Sequence, residues 1–104
     1  MAFPDYRQFD YVYFITIEKN NTRQVFKRLN VILRDFDRNC KIRSVYNEKK
    51  DHYHILFFTN KRLDYKKLHE KMKMPHSINI EIVNKTKEDI EKIKKYMTLN
   101  KLGF

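Results

Sequence analysis

The order of apolar and polar positions along the chain predicts seven elements. Residues 11–17 (YVYFITI) are an unbroken run of β-branched and aromatic side chains, too short for a buried helix, and read as a first strand. Val25, Leu29, Ile32 and Phe36 then recur at helical intervals up to the Asp37, Asn39 break, and Asn21 with Gln24 has capping-box spacing. Residues 41–46 and 52–59 are extended segments flanking the polar stretch Asn47-Glu48-Lys49-Lys50-Asp51, which predicts an antiparallel hairpin. Tyr65, Leu68 and Met72 share one face of a short helix that must end before Pro75. Residues 77–83 alternate Ile78, Ile80 and Ile82 with Asn79 and Glu81, as a half-exposed strand does. Thr86 with Asp89 has cap spacing, and Ile90, Ile93 and Met97 are the stripe of a last helix. The order β-α-β-β-α-β-α is an α+β, split βαβ (ferredoxin-like) pattern: an antiparallel sheet with two helices on one face.

Composition narrows the class. With 104 residues the chain makes one domain, 1–104, and eight Phe and seven Tyr suffice for a core. A single cysteine, Cys40, excludes an internal disulfide and points to a reducing, intracellular setting, the cytoplasm of a cell. No run is long enough for a transmembrane helix, and residues 1–10 lack the apolar stretch of a signal peptide. A net charge of +10 calls for a polyanionic partner, nucleic acid or an anionic membrane surface.

Alternation in the third strand sends His52 and His54 to one face and Tyr53, Ile55 and Phe57 to the other. Two imidazoles on one face suit a divalent ion such as Mn²⁺ or Zn²⁺, and the same pattern also fits two histidines satisfied by other partners. Glu48 and Asp51, in the hairpin loop, are candidate carboxylate ligands; Glu48 reads equally as a solvated charge among lysines. Tyr96 falls at the border of the last helix's apolar stripe, so its ring can pack while its hydroxyl stays accessible. A phenol, with a pKa of about 10, needs help to act as a nucleophile, and Lys94, Lys95 and Lys101 supply nearby cations.

Three segments in this order, FITIEKN, DHYHILFF and KKYMTLNK, resemble motifs I, II and III of HUH endonucleases. The resemblance spans nearly the whole chain. It is closest to the small replication-initiator (Rep) nucleases of rolling-circle plasmids and viruses, and the DHYH run is also similar to single-tyrosine transposases of that superfamily. It implies that His52 and His54 hold a divalent metal, Mn²⁺ or Mg²⁺, which polarises a scissile phosphate. Tyr96 then attacks that phosphate in line, leaving a 5′-phosphotyrosine link and a free 3′-hydroxyl, as a replicon's rolling-circle start requires. Rep proteins draw a third ligand from upstream of the histidines, which favours Glu48; the transposase pattern points to Asn100. Many Rep proteins carry a lysine three residues after the tyrosine, where this chain has Leu99, with Lys101 two further on.

The implied partners are single-stranded or hairpin origin DNA, a second copy of the chain in a homodimer, and a helicase and polymerase from host or element, since no P-loop is present. The chain is then a minimal nuclease or the nuclease part of something longer. Two rival readings are a non-catalytic RNA- or single-stranded-DNA-binding module on the same scaffold, and a small metal-dependent ribonuclease that forms no covalent adduct.

Overall fold

The computed structural model describes residues 3–18, 21–73 and 78–101, with side chains in the last helix described as far as Leu99. After a 3-10 turn at Tyr6–Gln8 come β1 (Tyr11–Ile17), α1 (Thr22–Phe36), β2 (Lys41–Asn47), β3 (His52–Thr59), α2 (Tyr65–Met72), β4 (Ile78–Ile82) and α3 (Lys87–Lys101). The strands lie in the order β2-β3-β1-β4 and every neighbouring pair is antiparallel. Each crossover therefore skips one strand: β3 fills the gap between β1 and β2, and β1 the gap between β3 and β4. This is the split βαβ arrangement of an α+β fold.

The sheet divides the interior in two. On one face Val25, Leu29 and Leu33 of α1 and Leu68 and Met72 of α2 pack on Tyr13, Ile15, Ile17, Ile55 and Phe57. On the other, Ile90 and Met97 of α3 pack on Val12, Val45, Leu56 and Phe58, with Phe9 closing one end. Period-two alternation in β1 and β3 feeds both cores from the same strands. Each fully buried Leu or Phe contributes roughly 2 kcal/mol.

Two buried polar contacts tie the first core to its loops. The Tyr13 hydroxyl accepts the Leu63 N–H at 2.9 Å, ahead of α2. The buried Asp37 carboxylate, just past α1, accepts the Thr59 hydroxyl at 2.6 Å and the Asn39 N–H at 3.0 Å.

Helix termini follow their capping chemistry with one exception. Asp64 accepts the Lys67 N–H at 3.1 Å at the start of α2, and Thr86 accepts the Asp89 N–H at 3.2 Å at the start of α3. The α2 helix stops at Met72, and Lys73 takes a left-handed conformation, its N–H bonding the His69 carbonyl. At α1 the expected capping box does not form. Asn21 is left-handed (φ 58°) where an N-cap is normally extended, and its side chain makes no cap bond. The first residue of that helix is tied elsewhere: the Thr22 hydroxyl donates to Asp51, at the end of the β2–β3 turn, at 2.7 Å.

The hairpin and β4 also differ slightly from expectation. Asn47 belongs to β2, paired with His52, so the connecting turn is residues 48–51. It closes with Lys50 N–H donating to the Asn47 side chain and with Asp51 at φ 52°. Along β4 burial falls from Ile78 to Ile82, which is 59% exposed at the sheet edge; Ser77 lies outside the described residues.

Candidate active site

Three strands and one helix build the site on the α3 face. In the β1–β3 register Thr16 stands opposite His54 and Phe14 opposite Leu56, and in the β2–β3 register Asn47 stands opposite His52. Phe14, Thr16, Asn47, His52 and His54 thus share one face. The imidazoles of His52 and His54 are neighbours, ring centroids 6.0 Å apart and nearly perpendicular. His54 is buried and His52 half-buried.

Packing fixes His54. Phe14 stacks parallel to it at 5.6 Å, and its Nδ1 lies 3.4 Å from the Thr16 hydroxyl. A proton on Nδ1, donated to Thr16, puts the ring's lone pair on Nε2. Tyr96 of α3 meets the same imidazole edge-on, centroids 5.2 Å apart, and meets Phe14 edge-on at 6.0 Å. Tyr96 is nonetheless 42% exposed, since the adjacent Met97 carries the helix's burial. Its ring packs against a histidine while the residue stays open to solvent.

The nearest carboxylate to the pair is one the sequence reading did not select. Glu18, just past β1, has Oε2 3.5 Å from His52 Nε2. The signal was present: Phe14, Thr16 and Glu18 share parity, and pairing β1 beside β3 puts that parity on the histidine face. The structure does not bring Glu48 to the histidines. It is exposed in the turn, and its charge is one of those raising the pKa of Tyr46, on the opposite face of the hairpin. Asp51 is taken up by Thr22 and Tyr46, whose hydroxyls both donate to its Oδ1, and these bonds hold its carboxyl below the ordinary range.

Two imidazoles and a carboxylate are the donor set of a divalent ion that accepts nitrogen and oxygen. Among the described residues no three His, Cys, Asp or Glu side chains already converge as a ligand cluster, so these side chains would have to close on an ion for it to bind.

The expected cations divide. Lys94 pairs with Glu91 at 3.7 Å and lies over the Phe3 ring at 5.6 Å, so it is committed to the N-terminal segment. Lys95 is exposed on α3, and Lys92, one helical turn before Tyr96, is an exposed cation on the tyrosine's own side. Lys101 and Asn100 are in α3, with side chains outside the described residues. A small cavity of about 70 Å³ lies between α1 and α2 on the opposite face, lined by Ile32, Leu33, Phe36, Leu63 and Leu68 together with Asp64, Lys67 and Lys71. The histidine site lies under the edge of α3, with His54 buried beneath Tyr96 and His52 and Tyr96 its partly exposed members.

A basic split βαβ domain with paired histidines and an exposed tyrosine is the class that fold and site define. The chain belongs to the viral family described as "Virus, 117-like", whose profile matches residues 8–100. It is 38% identical over 99 residues to "Uncharacterized protein 117" of Sulfolobus islandicus rod-shaped virus 1, across 88% of this chain and 85% of that protein. It is also similar to the crystal structure of the hypothetical protein ORF119 from the same virus. There the TM-score is 0.75 and the identity 37%, over 92% of this chain and 87% of that one. Among the described residues no helix is long and apolar enough to cross a membrane.

Proposed function

We propose that this viral protein nicks and rejoins single-stranded DNA through Tyr96, as a Rep-type HUH nuclease that starts replication of the viral genome in the host cytoplasm. The observation that carries the reading is the packing of Tyr96 on His54, on the sheet face that also bears His52 and Glu18.

His52, His54 and Glu18 are the residues that would hold a divalent ion, Mn²⁺ or Mg²⁺, which when bound would supply Lewis acidity for phosphate chemistry. The protein's own groups do the rest. Phe14 and Thr16 lock the His54 ring, and Met97 anchors α3 so that the phenol is offered beside it. The Tyr96 oxygen bonds to phosphorus, the bond from phosphorus to the 3′-oxygen breaks, and the phenolic proton ends on that 3′-oxygen. The phosphodiester energy stays in the phosphotyrosine, so a 3′-hydroxyl can later reverse the step and seal a strand. Lys92 and Lys95 hold flanking phosphates, and duplex unwinding falls to a partner helicase.

The test uses purified protein, Mn²⁺ and single-stranded oligonucleotides tiled across the viral genome. The expected result is a protein–DNA adduct that survives denaturing electrophoresis, is absent with Tyr96→Phe, and is lost with His52→Ala and His54→Ala while circular dichroism is unchanged. Cleavage that persists in Tyr96→Phe selects the ribonuclease-type rival, and binding without cleavage selects the non-catalytic module.

A further inference from the structure

On the α1 face, at the same end of the sheet as His52, three rings form a ladder that the nicking chemistry does not use. Phe26 of α1 stacks on Tyr53 of β3 with centroids 4.2 Å apart and planes 12° from parallel. Tyr53 in turn lies 4.6 Å from Tyr46 of β2. The ladder runs from the helix outward to the edge strand and ends in open solvent, with Tyr46 40% exposed. Tyr46 is also held in place: its hydroxyl donates to Asp51 Oδ1 at 2.8 Å, and that carboxylate is fixed by Thr22. An aromatic ring kept still at the end of a stack is ready to receive one more flat ring, because the entropy of ordering it has already been lost in folding.

The surroundings specify what kind of ring. Arg23, one turn before Phe26, and Lys27 are exposed on α1, and Lys49 and Lys50 are exposed in the turn that follows Tyr46. Four cations face two carboxylates, Glu48 and Asp51, the second of which is already engaged by two hydroxyls. A planar ring that arrives with negative charge on its chain is a nucleobase on a phosphate backbone. The position is also right: Tyr46 is the residue before Asn47, which stands opposite His52. A strand leaving the histidine face can pass over the β2 edge directly onto this ring.

We propose that Tyr46 is a base-stacking platform for the single-stranded DNA that flanks the cleavage point. That the strand is DNA rests on the proposed function; that a base stacks at Tyr46 does not.

The experiment keeps the two apart by working in Tyr96→Phe protein without divalent ion, where no cleavage occurs. Binding of a fluorescein-labelled oligothymidylate is compared with that of an abasic oligomer of equal length, by anisotropy. Tyr46→Ala is expected to weaken oligothymidylate binding about ten-fold and to leave abasic binding unchanged, a factor that lies within the range spanned by base stacking on an aromatic side chain. Tyr46→Phe and Tyr46→Trp keep a ring and most of the affinity, with a smaller loss than Tyr46→Ala because the bond that holds the ring to Asp51 is gone. The natural chain has no tryptophan, so indole emission from the Tyr46→Trp protein reports this position alone, and it should be quenched by oligothymidylate and not by the abasic strand. The emission readout also decides the matter if Tyr46→Ala fails to fold. Equal losses for both oligomers, an unaffected Tyr46→Ala protein or unquenched emission would each overturn the platform, and tighter binding of oligouridylate would overturn the assignment to DNA. Absence of a covalent adduct in the nicking assay bears only on Tyr96.

Discussion

The two carboxylates nearest the histidine strand give opposite expectations for metal binding, and the contrast can be worked from the geometry. Glu18 has an oxygen 3.5 Å from the His52 ring, and its side chain is 40% exposed, so the dielectric of water is the conservative choice. With a divalent ion at a comparable separation from that carboxylate, the attraction in water would be about 2.4 kcal/mol, or roughly 50-fold in affinity. Glu48 is exposed in the turn, and salt screens such a charge, so its removal should change affinity by about two-fold or less. Calorimetric titration of Mn²⁺ into Tyr96→Phe protein measures both, with Glu18→Gln and Glu48→Gln as paired variants of equal shape. The expected outcome is a large loss for the first and almost none for the second. The reverse result would return the third ligand to the hairpin and refute the assignment of Glu18. No change in either variant would remove a carboxylate from the site altogether.

Stability tests probe the scaffold independently. The Asp37 carboxyl is held below its ordinary range chiefly by the Thr59 hydroxyl, and also by the N–H groups of Asn39 and Asn60, against the opposing effect of burial. A depressed folded pKa stabilises above the unfolded value near 3.9, and that stabilisation fades as pH falls from there through the folded value. Asp37→Asn should therefore cost about 2 kcal/mol at pH 7 and lower Tm by roughly 8 °C, with the gap from wild type narrowing below about pH 4 in urea titrations. Met97 is fully buried, and Met97→Ala should cost about 2–4 kcal/mol and reduce adduct yield more than it reduces oligothymidylate binding, because it loosens the helix that presents Tyr96. Equal losses in both assays would mean that the substitution acts on the whole fold.

Most of the scaffold was legible because its strands and helices carry unmixed periodicities. The β-branched and aromatic runs at Tyr11–Ile17 and His52–Thr59 coincide with β1 and β3, and the cap residues Thr86 and Asp89 bond as their spacing implies. The shared face of His52 and His54 follows from a period of two and needs no tertiary knowledge. What escaped were contacts that depend on which strands become neighbours. Glu18 reaches His52 only because β1 lies beside β3, whereas the resemblance to Rep nucleases favoured Glu48, a few positions upstream of the histidines. The Asn21 cap failed for a related reason: Thr22 is drawn to Asp51 across the hairpin, and the left-handed backbone at Asn21 turns its side chain from the helix start. Lys94, read from the sequence as a cation for Tyr96, is instead paired with Glu91, three residues before it on one helix, a spacing that could have signalled the pair.

The sheet keeps its two oily layers apart, and they are unequal. The layer under α1 and α2 supplies most of the buried aliphatic bulk, whereas α3 is seated by Ile90, Met97 and a half-buried Ile93. Lost bulk in either layer costs stability, but only the second layer seats the helix that carries Tyr96. Substitutions confined to the first layer can therefore tune stability without touching the side chains on which the tyrosine-bearing helix rests.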